Sequence, residues 1–187
     1  MKSKTPPSKG EFAKASGPKK PLASAKSKAV ALLARREHSQ AELRTKLLQR
    51  GYDSSEVEEA IQWAISHQFQ SDDRFKLSLF RRRASTFGDR AISAELGQHG
   101  LGNLKSNDQG DEAESALLSE EDRAFDWILR RQYSSLSRVF NDEALADSEQ
   151  LFALKAKVFK GLSARGFEFG NIDRAWRRIL TEFKSNA

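Results

Sequence analysis

The chain has 187 residues, with 32 Lys and Arg against 26 Asp and Glu, 38% apolar residues and no cysteine. Disulfides and thiolate metal sites are therefore excluded, and no apolar run approaches the roughly 20 residues that span a bilayer. No hydrophobic block follows the N-terminal lysines as in a secretory signal, so a cytoplasmic location is expected.

The net charge of +6 is unevenly spread. Residues 1–28 hold eight lysines, one acid and all four prolines, a net of +7, which leaves residues 29–187 at −1. Such a segment has too little apolar surface to offset chain entropy, and it is expected to be a disordered tail. The rest is patchy: +2 over 29–105, −8 over 106–149 and +5 over 150–187. A body this close to neutral cannot hold nucleic acid by bulk charge, although it can present a local basic face.

Beyond Lys28 the hydropathy is helical in period throughout. Val30 and Leu33 open a first helix running to about Arg36. Ser39 and Glu42 form a capping-box pattern ahead of a second helix at about 40–50, which buries Leu43 and Leu47 and stops at Gly51. A third helix, about 54–68, places Val57, Ile61, Ala64 and Ile65 on one side. Ser71 or Asp72 caps a fourth, about 72–86, with Phe75, Leu79 and Phe80 inside.

One spacing recurs three times. Leu43, Leu47, Gly51 and Tyr52 fall at −8, −4, 0 and +1 from a glycine. Ile92, Leu96, Gly100 and Leu101 repeat the offsets, as do Val158, Leu162, Gly166 and Phe167. Downstream, Val57 and Ile61 match Ile172 and Trp176, while Ala113 and Leu117 match once a polar loop at 106–112 is allowed for. With a preceding helix in each copy (about 28–36, 72–86 and 120–131), this predicts an all-α, elongated tandem array of three three-helix modules. Their expected spans are 29–70, 71–118 and 119–184, the last stretched by a solvated loop or short extra helix over 133–148. Modules this small must share faces with their neighbours.

Ordered along the chain, these residues resemble the RecX family of regulatory proteins. Arg36-Glu37-His38-Ser39 with Glu42-Leu43, Lys46-Leu47 and Gly51 resembles its opening pattern. Asp72-Asp73-Arg74-Phe75 resembles the start of its second repeat, and Phe87-Gly88 with Ile92, Glu95-Leu96 and Gly100 its central motif. The resemblance covers about 29–183 and departs from the family in the lysine-rich tail and in polar insertions near 103–112 and 133–148. It implies a non-enzymatic, monomeric modulator of the RecA recombinase. Such a protein binds RecA and its filament on single-stranded DNA, limits filament growth, and inhibits ATP hydrolysis, strand exchange and the coprotease activity behind the SOS response.

Candidate contacts for RecA or DNA are the basic clusters. Arg81-Arg82-Arg83 is the densest in the body, with Arg74, Lys76 and Arg90 as extensions. Lys46 and Arg50, at i and i+4, form a second strip. Lys155, Lys157, Lys160 and Arg165, with Arg174, Arg177 and Arg178, make a basic side on the third module. For each cluster the bland alternative is a solvated helix face, reinforced at helix ends by the dipole. The aromatics Phe75, Phe80, Trp127, Phe159 and Trp176 are expected in the core.

Enzymatic and cofactor chemistry has no foothold in the pattern. His38, His67 and His99 lack metal-ligand spacing, no nucleophile elbow surrounds a serine, and no glycine-rich phosphate loop occurs. Asp72-Asp73 is explained by helix capping. The alternative to the RecA reading is a direct DNA binder whose helices adopt a helix-turn-helix-like geometry with the tail adding affinity.

Overall fold

The computed structural model describes residues 23–102, 119–141 and 149–185, and every regular element within them is an α-helix. These are α1 (Ala25–Leu33), α2 (Gln40–Leu48), α3 (Ser54–Ser66), α4 (Asp72–Arg83), α5 (Asp89–Gln98), α6 (Glu120–Phe140), α7 (Glu149–Ser163) and α8 (Phe169–Ser185). Residues 1–22 of the tail expected over 1–28, the loop at 106–112, Ala113 and Leu117, and the acids Asp142, Glu143 and Asp147 lie outside the described residues.

Three hydrophobic clusters follow one another along the chain. Ala25, Ala29, Leu43, Leu47, Val57 and Ile61 centre the first, formed by α1–α3. Phe75, Leu79, Phe80, Ile92 and Leu96 make the second, from α4 and α5. Trp127, Ile128, Leu136, Val158, Leu162, Ile172, Trp176 and Ile179 anchor the third, where α6 packs along α8 with α7 against both. The architecture is a tandem array of small helical modules.

The three glycines of the recurring spacing occupy equivalent backbone positions. Gly51, Gly100 and Gly166 have φ of +84°, +72° and +83°. In each case the next residue's amide reaches back five residues: Tyr52 to Leu47 at 3.4 Å, Leu101 to Leu96 at 3.1 Å, Phe167 to Leu162 at 3.2 Å. The glycine amides bond three residues back, to Leu48, Gly97 and Ser163. This is the Schellman motif, which satisfies the orphan carbonyls of a helix end and needs a residue tolerant of left-handed backbone.

A fourth helix end has the same geometry without glycine. Gln68 has φ of +59°, its amide bonds Ile65 O at 2.9 Å, and the Phe69 amide bonds Ala64 O at 2.8 Å. A side chain with Cβ in this region costs about 1 kcal/mol or more. Gln68→Gly is therefore expected to stabilise the protein by about 1 kcal/mol and to raise its melting temperature by about 3 °C. Thermal unfolding followed by circular dichroism checks this, and an unchanged midpoint contradicts it.

Two expected elements are corrected. The first helix opens at Ala25, inside the segment read as tail, and ends at Leu33 rather than Arg36. Its buried face is Ala25, Ala29 and Leu32, while Val30 and Leu33 are half-buried and Leu33 packs at the edge of the first cluster. Ser24 caps it by accepting from the Ser27 amide at 3.3 Å, and the Tyr52 hydroxyl donates to Ala23 O. Small alanines let α1 lie close against α3, a packing that a hydropathy pattern scarcely registers. Second, α6 runs to Phe140, so residues 133–140 continue the helix expected to end at about 131 and are neither a loop nor a separate short helix. Ile128, Gln132, Leu136 and Phe140 continue a buried i, i+4 row across the stretch expected to be polar.

The modules are joined by polar staples of one design. At the first junction Asp72, the opening residue of α4, accepts from the Gln40 amide at 3.0 Å and from Gln70 Nε2 at 2.8 Å. It thus caps the start of α2, while Ser71 caps α4 itself by accepting from the Arg74 amide. At the second junction Glu120, the opening residue of α6, accepts from the Asp89 amide at 2.6 Å, from the Glu168 amide at 3.1 Å and from the Asn171 side chain. One buried carboxylate caps both α5 and α8 where their dipoles favour negative charge.

Glycine again permits the closest approach. The Gly88 amide bonds Arg165 O at 3.0 Å, and the Arg90 amide bonds Gly166 O at 3.2 Å. The end of α7 thereby seats on the start of α5. At the first junction the end of α5 seats likewise on α2, with His99 Nδ1 3.0 Å from Ser39 Oγ.

Candidate functional site

The capping-box reading at Ser39 is half realised. Ser39 Oγ accepts from the Glu42 amide at 3.1 Å, but the Glu42 carboxylate turns to Arg36 Nη1 at 3.0 Å and Lys46 Nζ at 3.5 Å instead of reaching back. His38, buried beneath, brings Nδ1 within 2.9 Å of Glu42 Oε2 without an aligned hydrogen bond. Burial lowers the His38 pKa below 6.5, and the Glu42 carboxylate recovers only part of that. For Glu42, burial pushes the pKa up, but the Arg36 hydrogen bonds and the His38 contact outweigh it and hold the carboxyl at about 2.

Both shifts act in one direction. A group whose pKa is lower in the folded state binds fewer protons there, so its contribution disappears as pH falls. His38 withdraws stability as pH drops below 6.5, and Glu42 withdraws more between 4.5 and about 2. The melting temperature is expected to decline on acidification from pH 7, with His38→Gln flattening the first part of the curve. A variant whose pH profile overlays the wild type contradicts this assignment.

The basic clusters divide sharply once their partners are placed. Arg83 turns away from its neighbours and grips Glu95 with two hydrogen bonds, 2.8 and 3.0 Å. Arg74 pairs with Glu37 at 2.9 Å and donates to Phe69 O, bracing the first junction. Lys76 meets Asp73 at 3.1 Å with its side chain mostly covered. Arg90 donates to Ser163 O across the second junction. Exposed Arg81 and Arg82 remain, with no hydrogen-bond or ion-pair partner among the described residues.

In the second strip, Lys46 leans on Glu42 and Arg50 closes its own helix end by donating to Lys46 O at 2.6 Å. On the third module, Arg174 pairs with Glu121 and Arg178 with Asp122, each at 2.8 Å. Two acids of α6 are thus paired with two arginines of α8 along the α6–α8 contact. Arg165 folds onto Gly161 O and over the Trp127 ring. Lys155 and Arg177 share Asp173, at 3.9 and 2.6 Å. Exposed Lys157 and Lys160 have no hydrogen-bond or ion-pair partner among the described residues.

Sequence reasoning missed the residues that hold the array together. Arg123 is buried and donates to Phe87 O at 2.9 Å, to Ala84 O at 3.3 Å and to the Asp89 carboxylate. Its guanidinium also covers the Phe80 ring at 4.9 Å. Aligning Ser71-Asp72 with Ser119-Glu120 could have marked the junction carboxylates Asp72 and Glu120, whereas nothing in the sequence singles out Arg123. Of the aromatics expected inside, Phe75, Phe80, Trp127 and Trp176 are buried, whereas Phe159 is only half-buried.

Comparison with known proteins agrees with this architecture. A family model described as the RecX first three-helix domain matches residues 25–63, beginning where α1 begins. A protein named regulatory protein RecX from Herbaspirillum seropedicae is 32% identical over 163 residues, covering 84% of this chain and 92% of that protein. The chain belongs to the RecX family. A second member, from Xanthomonas axonopodis pv. citri (strain 306), is 37% identical over 158 residues, covering 83% of this chain and 86% of its own. The crystal structure of RecX from Lactobacillus salivarius has the same fold, with a TM-score of 0.57 at 18% identity over 83% of this chain and 94% of that one. These RecX relatives are named as regulators. Among the described residues of this chain, no helix is long and apolar enough to cross a membrane.

Proposed function

We propose that this RecX-family protein is a non-enzymatic regulator that binds RecA and the RecA filament on single-stranded DNA. In this reading it limits filament extension and inhibits ATP turnover, strand exchange and SOS coprotease activity. The observation that carries it is family membership over nearly the whole chain, joined to a body whose junctions are hydrogen-bonded and closely packed. Modules fixed in sequence can lie across adjacent filament subunits and hold the nucleotide-sandwiching interface away from its active geometry. Binding at a filament end blocks addition of the next subunit.

The direct DNA-binding alternative loses support once charges are paired, because most candidate arginines are occupied by carboxylates or carbonyls of the protein itself. Arg81 and Arg82 are the best-placed cations of the second module for an acidic partner surface. The test is RecA ATPase activity on single-stranded DNA with this protein titrated in. Wild type is expected to suppress turnover, and Arg81→Glu/Arg82→Glu to bind filaments more weakly, most visibly at low salt, with melting temperature unchanged. Unchanged turnover at saturating binding refutes the inhibitory reading. Deletion of residues 1–22 is expected to spare inhibition while lowering bulk DNA affinity.

A further inference from the structure

The outer edge of the first module carries an aromatic ladder that its core does not use. Trp63 and His67 stack with ring centroids 4.5 Å apart, and Phe69 lies 5.4 Å from Trp63 and 6.4 Å from His67. Trp63 is half-buried, His67 is exposed and Phe69 is 45% exposed, while the first cluster closes around Val57, Ala60 and Ile61 without them. The rings are held in place. His67 Nδ1 lies 2.9 Å from the Trp63 carbonyl, and the left-handed Gln68 turns the chain so that the Phe69 amide closes on Ala64 O. On the same edge of α3, Glu56 and Glu59 stand seven and four residues before Trp63, both exposed. Neither has an ion-pair partner among the described residues, the α1 cations Lys26 and Lys28 included, whereas Glu58 is held by Arg44 of α2. From Gly51 to Asp73 the chain has no lysine or arginine.

The chain itself supplies the matching chemistry. Residues 1–22 contain six lysines, all four prolines and one acid, and they join the body at Ala23. The Tyr52 hydroxyl donates to Ala23 O, which fixes that point beside the start of α3. Trp63 stands nine residues beyond Ser54, about 14 Å along the helix axis. Pro18 stands five residues before Ala23, a reach of about 16 Å in polyproline II conformation, with Lys19 and Lys20 at the level of Glu59. We propose that Pro18-Lys19-Lys20-Pro21 folds back onto this face of α3, with the lysines against Glu56 and Glu59 and Pro18 on the Trp63 ring. Charge complementarity and the length of the tether select this occupant. Proline seats on aromatic rings with little loss of freedom, because its backbone is already restricted, and a lysine beside a ring gains cation–π attraction. Attachment at Ala23 keeps the segment at high effective concentration beside the strip. The contact is self-limiting: it occupies two of the six lysines and covers Trp63 until a competing anion draws them away. It stands apart from the RecA reading, since it requires no RecA.

The test uses the full chain. Because the sequence has no cysteine, Ser16→Cys introduces a single thiol for a nitroxide label two residues before Pro18. Heteronuclear NMR then follows the indole resonances of Trp63, Trp127 and Trp176, with Trp63→Phe assigning the first. The Trp63 peak is expected to be lost to paramagnetic broadening and to return when the nitroxide is reduced, while the other two persist. Tethering alone brings the label near Trp63 part of the time, so charge exchange decides. Glu56→Lys/Glu59→Lys is expected to restore the Trp63 peak, and adding Lys19→Glu/Lys20→Glu to that variant is expected to lose it again. Salt at about 1 M, where the Debye length is about 3 Å, is expected to restore the peak without any substitution. Glu56 and Glu59 are exposed, so the helical signal by circular dichroism should not change. A Trp63 peak that stays sharp in the labelled chain overturns the proposal, as does one equally broad in Glu56→Lys/Glu59→Lys. Broadening passed in a mixture from nitroxide-bearing chains to isotope-labelled chains without nitroxide also overturns it, because the occupant is then the tail of a second copy.

Discussion

Gly88→Ala is expected to destabilise the protein by about 3 kcal/mol, lowering its melting temperature by about 10 °C. The backbone at Gly88 is ordinary (φ −81°, ψ 170°), so the effect is spatial rather than conformational. An added Cβ would lie 2.5 Å from the Gly166 carbonyl carbon, with the Phe167 amide nitrogen and Cα closer still. Those are main-chain atoms, held by the Gly88–Arg165 and Arg90–Gly166 hydrogen bonds, and they cannot swing aside as a flexible side chain would. Relief requires α7 to lift from α5 and both bonds to lengthen. Gly97→Ala is the control: nothing lies within 4 Å of its Cβ, and within a helix alanine is favoured by up to about 1 kcal/mol. Gly100→Ala belongs between them, since its surroundings are open but its φ of +72° strains any Cβ by about 1 kcal/mol. A Gly88→Ala melting temperature equal to wild type contradicts the close-approach account. In the RecA reading the same variant also loses inhibition, because a body with a loosened joint no longer spans subunits in fixed register.

What could be read from the sequence follows from which physical constraints are local. A left-handed residue at a helix end calls for glycine, so Gly51, Gly100 and Gly166 announced three equivalent helix ends and with them the repeat. The equivalent end of α3 was invisible because Gln68 occupies the position where glycine would have marked it. Periodicity located the large apolar residues of α2–α5, but it missed Ala25 and Ala29, whose contribution is close approach rather than bulk. It also stopped α6 early, because serines and an arginine outnumber the apolar residues between Gln132 and Phe140 even though the buried row continues beneath them.

The candidate interface was harder to read, for an electrostatic reason. A list of arginines says nothing of which carboxylates fold back onto them, and the α6 acids Glu121 and Asp122 claim Arg174 and Arg178 from more than 50 residues away. Only after these pairs are removed do Arg81, Arg82, Lys157 and Lys160 stand out. Surface pairs of this sort contribute at most about 1 kcal/mol each, so their main consequence is to set which charge is left for a partner. Phe69 escaped notice for the opposite reason: a phenylalanine in a helical sequence is ordinarily assigned to the core, and only the packed structure shows it outside.

Arg123→Ala is expected to cost about 3 to 4 kcal/mol and to separate the unfolding of the second and third clusters. The side chain is 4% exposed, and its removal leaves the Phe87 and Ala84 carbonyls without their donor at the end of α4. It also opens a gap under the Phe80 ring and releases the Asp89 carboxylate from its partner. The parts can be weighed separately. Asp89→Asn is expected to cost only about 1 kcal/mol, because its side chain is 39% exposed and water can replace the arginine. Arg123→Lys keeps the charge but cannot fork between two carbonyls and a carboxylate, so an intermediate loss of about 2 kcal/mol is expected. The double variant Arg123→Ala/Asp89→Asn should cost less than the sum of the single changes, since the ion pair is then counted once. Denaturant titration followed by both tryptophan emission and far-ultraviolet circular dichroism resolves the separation, because Trp127 and Trp176 report on the third cluster, Trp63 lies in α3 of the first module, and the second cluster, which has no tryptophan, is seen only in the helical signal. Coincident transitions in Arg123→Ala at wild-type midpoints would mean that the apolar contacts alone couple the clusters and that the buried arginine is dispensable to the array.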